Sequence, residues 1–299
     1  MKKNIKPVFL LFLLLLCLPL TVSCAQNGKT AEAKIVCTLF PPYDFAREIA
    51  GDEVEVVLLK KAGDAHSSEV TAGDVRTIAS AALFICAGGV EDVGYEKIIA
   101  ANAPDLPVLK MLDVCTPLYD EDGDEPDEHV WTSPKNAILL TEAIRDRLCG
   151  LMPEKSDIFR RNADAYLERL KKLEADYASF FATPRTLVFG DRFPFAYLAA
   201  DYGITCLAAF PGCSEESEPS ARVISDLIDY VKENKIGTIY RIENSTGKVA
   251  ESIASATGAS VALLHSCHTL SEEEIASGIG YIERMERNLE TIRASSENP

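Results

Sequence analysis

The sequence predicts an α/β protein of two lobes, each a mainly parallel sheet flanked by helices, joined by one long rigid helix. Three observations carry this. Short apolar or β-branched runs alternate with helical patterns along almost the whole chain, the arrangement that yields parallel sheets covered by helices. The stretch from Glu154 to Phe181 has no Gly or Pro, and Tyr166, Leu170, Leu173, Tyr177 and Phe180 recur in it at helical steps. As one helix of about 28 residues it would span roughly 42 Å, more than one small domain, so it reaches across two. A hydrophobic fraction of 47% supplies both cores.

In chain order, Ile35 to Phe40 reads as a strand ended by Pro41-Pro42, and Tyr43 to Ala50 as a helix with Phe45 and Ile49 on one side. Val54 to Leu59 is β-branched and forms a strand, followed by a loop from Lys60 to Ser68. Val75 to Ala82 is helical, Leu83 to Cys86 a buried strand, Ala87-Gly88-Gly89 a turn, Glu91 to Ala101 a helix and Val108 to Leu112 a strand. Pro134 opens a helix through Leu148, with Ser133 as its cap. Beyond the long helix come strands at Thr186 to Phe189, Ile204 to Phe210, Thr238 to Ile242 and Val261 to Leu264. Helices at Phe195 to Tyr202, Ser220 to Asn234, Lys248 to Thr257 and Ile279 to Ile292 lie between and after them. The two halves share this pattern without a visible sequence repeat.

The first residues give an address. Lys2, Lys3 and Lys6 precede an apolar core from Phe9 to Leu20, and small residues lead to Cys24, the layout of a signal peptide too short to span a membrane. Leu20-Thr21-Val22-Ser23-Cys24 resembles a bacterial lipobox, which implies cleavage of residues 1–23 and a lipid on Cys24. Residues 24–33 form a polar tether, 34–152 the first lobe, 153–182 the connecting helix and 183–299 the second lobe. The formal net charge of −16 excludes nucleic acid and anionic lipid surfaces as partners and suits the attraction of cations. No CxxC pair occurs, so the cysteines do not form a zinc knuckle, and Cys37 and Cys86 sit in strand-like runs as buried thiols.

The chain has only four histidines: His66, His129, His265 and His268. His66 follows the strand ending at Leu59, His265 directly follows Leu264, and His129 precedes the helix at Pro134. Asp191 and Glu243 stand just beyond the strands ending at Phe189 and Ile242. In open α/β sheets ligands bind beyond the carboxyl ends of the strands. These loops are therefore expected to converge on one metal ion in the cleft between the lobes.

The segments Gly63-Asp64-Ala65-His66-Ser67-Ser68-Glu69 and Asp127-Glu128-His129-Val130-Trp131-Thr132-Ser133-Pro134 resemble the two histidine motifs of bacterial metal-binding lipoproteins. These are the substrate-binding components of zinc and manganese ABC importers. Tyr43-Asp44-Phe45-Ala46-Arg47-Glu48-Ile49-Ala50-Gly51, Ser217-Glu218-Pro219-Ser220 and Tyr281…Asn288-Leu289 extend the resemblance over the mature chain. It implies two α/β lobes with the metal at their interface and His66 and His129 as ligands from the first. It also places His265 where the family has an aspartate. At the third position Arg192 stands in register and cannot ligate. Asp191 substitutes if the loop shifts by one; otherwise His268, Glu243 or water fills the place.

Three imidazoles and one carboxylate suit Zn²⁺, whereas Mn²⁺ favours more oxygen. The implied function is extracytoplasmic capture of Zn²⁺, with Mn²⁺ as the alternative, by a lipid-anchored monomer. Delivery would be to an ABC permease with its ATPase. A zinc hydrolase is disfavoured, since no HExxH occurs and four protein ligands close the shell. An adhesin or storage lipoprotein would share the same site. Cys213 and Cys267 flank proposed ligand segments, and a disulfide between them would stiffen the site in an exported protein.

Overall fold

A computed structural model describes residues 33–59, 70–119, 125–210 and 219–297. The first sheet contains β1 (Lys34–Cys37), β2 (Glu55–Leu58), β3 (Leu83–Cys86) and β4 (Val108–Lys110), in the order β2-β1-β3-β4. The second contains β5 (Thr186–Phe189), β6 (Thr205–Ala208), β7 (Thr238–Arg241) and β8 (Ser260–Leu263), in the order β6-β5-β7-β8. Every strand pair is parallel. Both sheets thus have the same winding, although their sequences show no repeat. The two-lobe α/β architecture predicted from the alternation is the one observed.

Period-two alternation along the strands decides which side chains face the shared interior. Ile35, Cys37, Leu83, Ile85, Leu187, Phe189 and Tyr240 join one large core that runs between the sheets. Val36, Phe84 and Cys86 point the other way into a smaller core, and Val188 and Ile239 do the same in the second lobe.

The helices are α1 (Phe40–Ala50), α2 (Ala72–Ala79), α3 (Val93–Asn102), α4 (Pro134–Leu151), α5 (Ser156–Phe180), α6 (Ala196–Tyr202), α7 (Ala221–Glu233), α8 (Lys248–Thr257), α9 (Glu272–Ser277) and α10 (Tyr281–Glu297). Several boundaries depart from the sequence reading, each for a local reason. Pro41 and Pro42 lie inside the first turn of α1, where a missing N–H costs nothing. α2 starts earlier than expected because Thr71 and Asp74 form a reciprocal capping box. β4 stops at Lys110 and gives way to a 3-10 turn, Met111–Asp113. Residues 90–92 form another such turn, so Glu91 stands at the exit of β3 rather than within α3. α9 is absent from the sequence reading. Ser133 caps α4 as expected, its Oγ accepting from the Lys135 amide at 3.2 Å. Among the described residues no helix is long and apolar enough to cross a membrane.

α5 buries Phe159, Ala163, Tyr166, Leu167, Leu170, Leu173 and Tyr177 along one face and is bonded to both lobes. Asn162 donates to the Ile49 carbonyl (3.1 Å) at the end of α1, and Tyr177 donates to the Met285 carbonyl (2.7 Å) in α10. Between them sits buried Asp44. It accepts from the Tyr281 amide at 2.9 Å, the Tyr166 hydroxyl at 3.2 Å and Arg47 at 2.7 Å. One carboxylate from the first lobe therefore ties α1, α5 and the start of α10 together. Asp44→Ala strands these donors and is expected to cost about 3–5 kcal/mol, as for a broken buried charge pair. Urea unfolding followed by circular dichroism measures it, and a loss under about 1 kcal/mol would show the junction is not structural.

Candidate metal centre

The loops that leave the carboxyl ends of both sheets face one another, and the central side chains come from different lobes. His129 precedes the short 3-10 turn Val130–Thr132 that leads into α4. Asp127 holds it twice: its Oδ1 lies 2.8 Å from the imidazole Nδ1 and accepts the His129 amide at 2.8 Å. Tyr197 of the second lobe donates to the Asp127 carbonyl at 2.9 Å, so this loop is clamped from both sides. A carboxylate on Nδ1 selects the tautomer that keeps the lone pair on Nε2, the usual support of a metal-ligating histidine. That Nε2 is shielded from solvent.

The ring that meets His129 is His268. The two imidazoles stand edge to face, 5.2 Å between centroids and at 89°. Trp131, fully buried and the only tryptophan, packs against both at 5.3 Å. Its indole N–H donates to the Ser266 carbonyl at 2.8 Å, and the Tyr281 hydroxyl donates to the Trp131 carbonyl at 2.6 Å. One aromatic side chain thus spaces a histidine of the first lobe from a histidine of the second.

The loop after β8 explains why His268 rather than His265 faces His129. The His265 amide donates to Asn288 Oδ1, and Asn288 Nδ2 donates back to the His265 carbonyl, both at 2.8 Å. Its Nδ1 accepts the Cys267 amide at 2.9 Å, and its Nε2 lies 3.5 Å from Glu274. Cys267 has a left-handed backbone, φ 63°, which reverses the chain and turns the next side chain back into the cleft. Glu243 secures the same loop, with one oxygen accepting the Ser266 amide at 2.8 Å and the other its hydroxyl.

Asp191 is buried at the exit of β5, with both oxygens engaged. It accepts from the Arg192 amide at 2.9 Å, the Ile242 amide at 3.2 Å and the Ser245 hydroxyl. It thereby ties the exit of β5 to that of β7. His66 and the acidic loop at 120–124 lie outside the described residues, as does Cys213. Cys267 is buried, its thiol against the His265 carbonyl, and the anticipated disulfide with Cys213 involves a residue outside the described ones. Its Sγ is turned into the core, and burial pushes this thiol up. Among the described residues no three His, Cys, Asp or Glu side chains are gathered tightly enough to hold an ion unaided.

Two carboxylates at this cleft escaped the sequence reading. Glu91 Oε2 is solvent-shielded and 3.7 Å from His268 Nε2, and the Glu91 amide donates to Glu128 Oε1 at 3.2 Å. A Cβ at Gly89 would lie 2.1 Å from the Glu128 carboxylate, so glycine is required for this approach. Burial, followed by the nearby Glu91 charge, pushes the Glu128 carboxyl up to about 7. The available signal was the Gly88-Gly89 turn, with an acid just past the end of β3.

A cleft lined with oriented imidazoles and carboxylates, between two parallel-sheet lobes tied by a long helix, defines a two-lobed metal-binding architecture. The chain belongs to the family described as zinc-uptake complex component A, periplasmic, whose model matches residues 35–295. It is 34% identical to the zinc-binding lipoprotein AdcA of Streptococcus pneumoniae over 96% of its length, and spans 60% of that relative. The structure of the Zn(II)-bound ZnuA-like domain of the same AdcA superposes with a TM-score of 0.75 at 33% identity, covering 89% of this chain and all of that one. A point mutant of a Mn-bound periplasmic metal-binding protein from Candidatus Liberibacter asiaticus gives a TM-score of 0.78 at 25% identity, covering 90% of this chain and all of that one.

Below this cleft, His265 and Arg284 hold the Glu274 carboxyl well below the usual carboxylate range, Arg284 Nη1 donating to it at 2.6 Å. A carboxyl depressed by folding stabilises the protein above its unfolded value near 4.5 and loses that contribution as pH falls. Glu274→Gln is therefore expected to be less stable than the parent at pH 7, with the gap closing as acid is added below about 4.5. Thermal melts across pH test this, and a gap that widens in acid would refute it.

Proposed function

We propose that this protein captures Zn²⁺ outside the cytoplasmic membrane, in the cleft between its lobes, and passes it to an ABC permease with its ATPase. Carriage is from a lipid anchor at Cys24, without covalent chemistry. The observation that carries the reading is the pair of buried imidazoles, one from each lobe: His129 with its tautomer set by Asp127, and His268 held against it by Trp131. His66 on the loop after β2 is the third imidazole in this proposal.

The chain's own groups do the selecting. A hydrated divalent ion exchanges water for imidazole nitrogens, and the buried setting strengthens each contact. Asp127 keeps the His129 lone pair directed outward and raises its basicity, so capture does not wait for a tautomer shift. Glu243 and Asp191 contribute by holding the ligand-bearing loops rather than by touching the metal. Nitrogen-rich donors at about 2.0–2.1 Å favour zinc over manganese, which prefers more oxygen. A manganese carrier on the same fold is the second reading, supported by the Mn-bound neighbour. Protons compete for the same nitrogens, so affinity falls as pH drops through the ordinary imidazole range near 6.5.

Chelator competition on protein lacking residues 1–23 tests the assignment. Asp127→Asn should weaken zinc binding roughly 10–100-fold. His129→Ala and His268→Ala should lose more than that, while His265→Ala should bind close to normally. Full stoichiometric zinc in both His66→Ala and His129→Ala would end the proposal. A loss confined to His265→Ala would move the second-lobe ligand back to that residue.

A further inference from the structure

We infer that Tyr197, in the second lobe, is a positioning residue for the imidazole of His129 in the first. The inference rests on the carrier reading above only for its effect on zinc; its effect on the ring is read without metal.

The Tyr197 side chain is buried on α6. Its hydroxyl oxygen accepts the Leu118 amide at 3.0 Å and donates to the Asp127 carbonyl at 2.9 Å. The direction of each bond is fixed, because the amide can only donate and the hydroxyl hydrogen is left for the carbonyl. Burial pushes this phenol up to about 12, which keeps it protonated and a donor.

Leu118 and Asp127 face each other beside the antiparallel Tyr119–Pro126 bridge, and the Asp127 amide donates to the Leu118 carbonyl at 2.8 Å. In an antiparallel ladder such a pair exchanges two bonds. Here the second bond runs through Tyr197, from the Leu118 amide to the phenol oxygen and from the phenol to the Asp127 carbonyl. A hydroxyl of the opposite lobe thus completes a first-lobe ladder.

Asp127 is the residue that orients His129, meeting both its amide and its Nδ1 at 2.8 Å. Holding the Asp127 peptide leaves only the side-chain torsions free, and the two bonds to His129 fix those. The same helix takes a second hold beyond the histidine. Asp201 accepts the Ser133 hydroxyl, and Lys135 donates to the Asp201 carbonyl at 2.9 Å. The stretch that carries His129 is therefore gripped on both sides by α6, the kind of outer support on which a ligand's orientation depends. Without the Tyr197 hydroxyl the Asp127 peptide is released, and the ring gains access to the tautomer protonated on Nε2, which cannot ligate through that atom.

Imidazole ¹⁵N shifts of the metal-free protein, recorded above the imidazole range near 6.5, and zinc release into excess chelator test this in Y197F. Y202F is the control: Tyr202 lies on the same helix, and among the described residues its hydroxyl makes no hydrogen bond. Expected in Y197F are a shift of His129 toward the Nε2-protonated tautomer and about three- to tenfold faster zinc release, with Y202F matching the parent in both. A Y197F protein that melts lower yet keeps the parent's ring shifts and release rate overturns the inference, since the phenol then only stabilises the fold. Equal changes in Y202F also overturn it. If Y197F does not fold, a ring-fluorinated tyrosine at position 197 decides. It keeps the hydroxyl as a stronger donor, so altered His129 shifts support the role and unchanged shifts count against it. A parent that binds no stoichiometric zinc removes the carrier reading, while the ring shifts still decide the role of Tyr197.

Discussion

The molecule depends on holding the carboxyl ends of two separate parallel sheets face to face. Tyr281 is the main device. Its amide is fixed by Asp44 and its hydroxyl by the Trp131 carbonyl, so the first residue of α10 is bonded twice to the opposite lobe. Trp131 returns the connection through its indole N–H to Ser266. These bonds are buried, where a polar group without a partner costs more than a made bond gains. The lobes therefore meet in one register, and the histidines on either side inherit a defined separation.

Around that junction the carboxylates take different roles. Asp44, Asp191 and Glu243 direct their oxygens at amides and hydroxyls, binding helix to helix and loop to loop. Asp127 directs one at an imidazole nitrogen, which sets a tautomer. Charge alone does not distinguish these roles, since all sit at or near strand exits or helix starts. What separates one role from the other is the direction in which the oxygens point. Direction also places His265 and His268 differently: the first has its Nδ1 engaged by the Cys267 amide and both backbone groups by Asn288 of α10, and the second presents its ring to His129 and Trp131.

α5 is bonded to both lobes, and the large core is continuous between the sheets. In the proposed carrier, selectivity comes from donor type and spacing set in advance, which lowers the ordering cost of binding. The strong acidity of the chain favours the approach of cations at long range.

Much of this was legible from the chain alone. Alternation of apolar runs and helical patterns determined two parallel α/β lobes, and an uninterrupted periodic stretch determined the helix that joins them, because both follow from local backbone geometry. Ser133 before Pro134 marked the start of α4 for the same reason. The placement of His129 on a loop beside a rigid helix also followed from order along the chain. The choice between His265 and His268 did not, because it turns on a left-handed residue at Cys267 and on bonds from Asn288, well beyond the loop. Asp191, with Glu243 behind it, stood out in the sequence as a carboxylate at a strand exit, and only the fold shows their bonds to Ile242, Ser245 and Ser266. Glu91 read as the start of a helix, and only the tertiary fold sets it in a separate turn 3.7 Å from His268. Sequence determined which groups stand at the strand exits; tertiary structure decided which of them are directed into the cleft, because that depends on partners brought from distant parts of the chain.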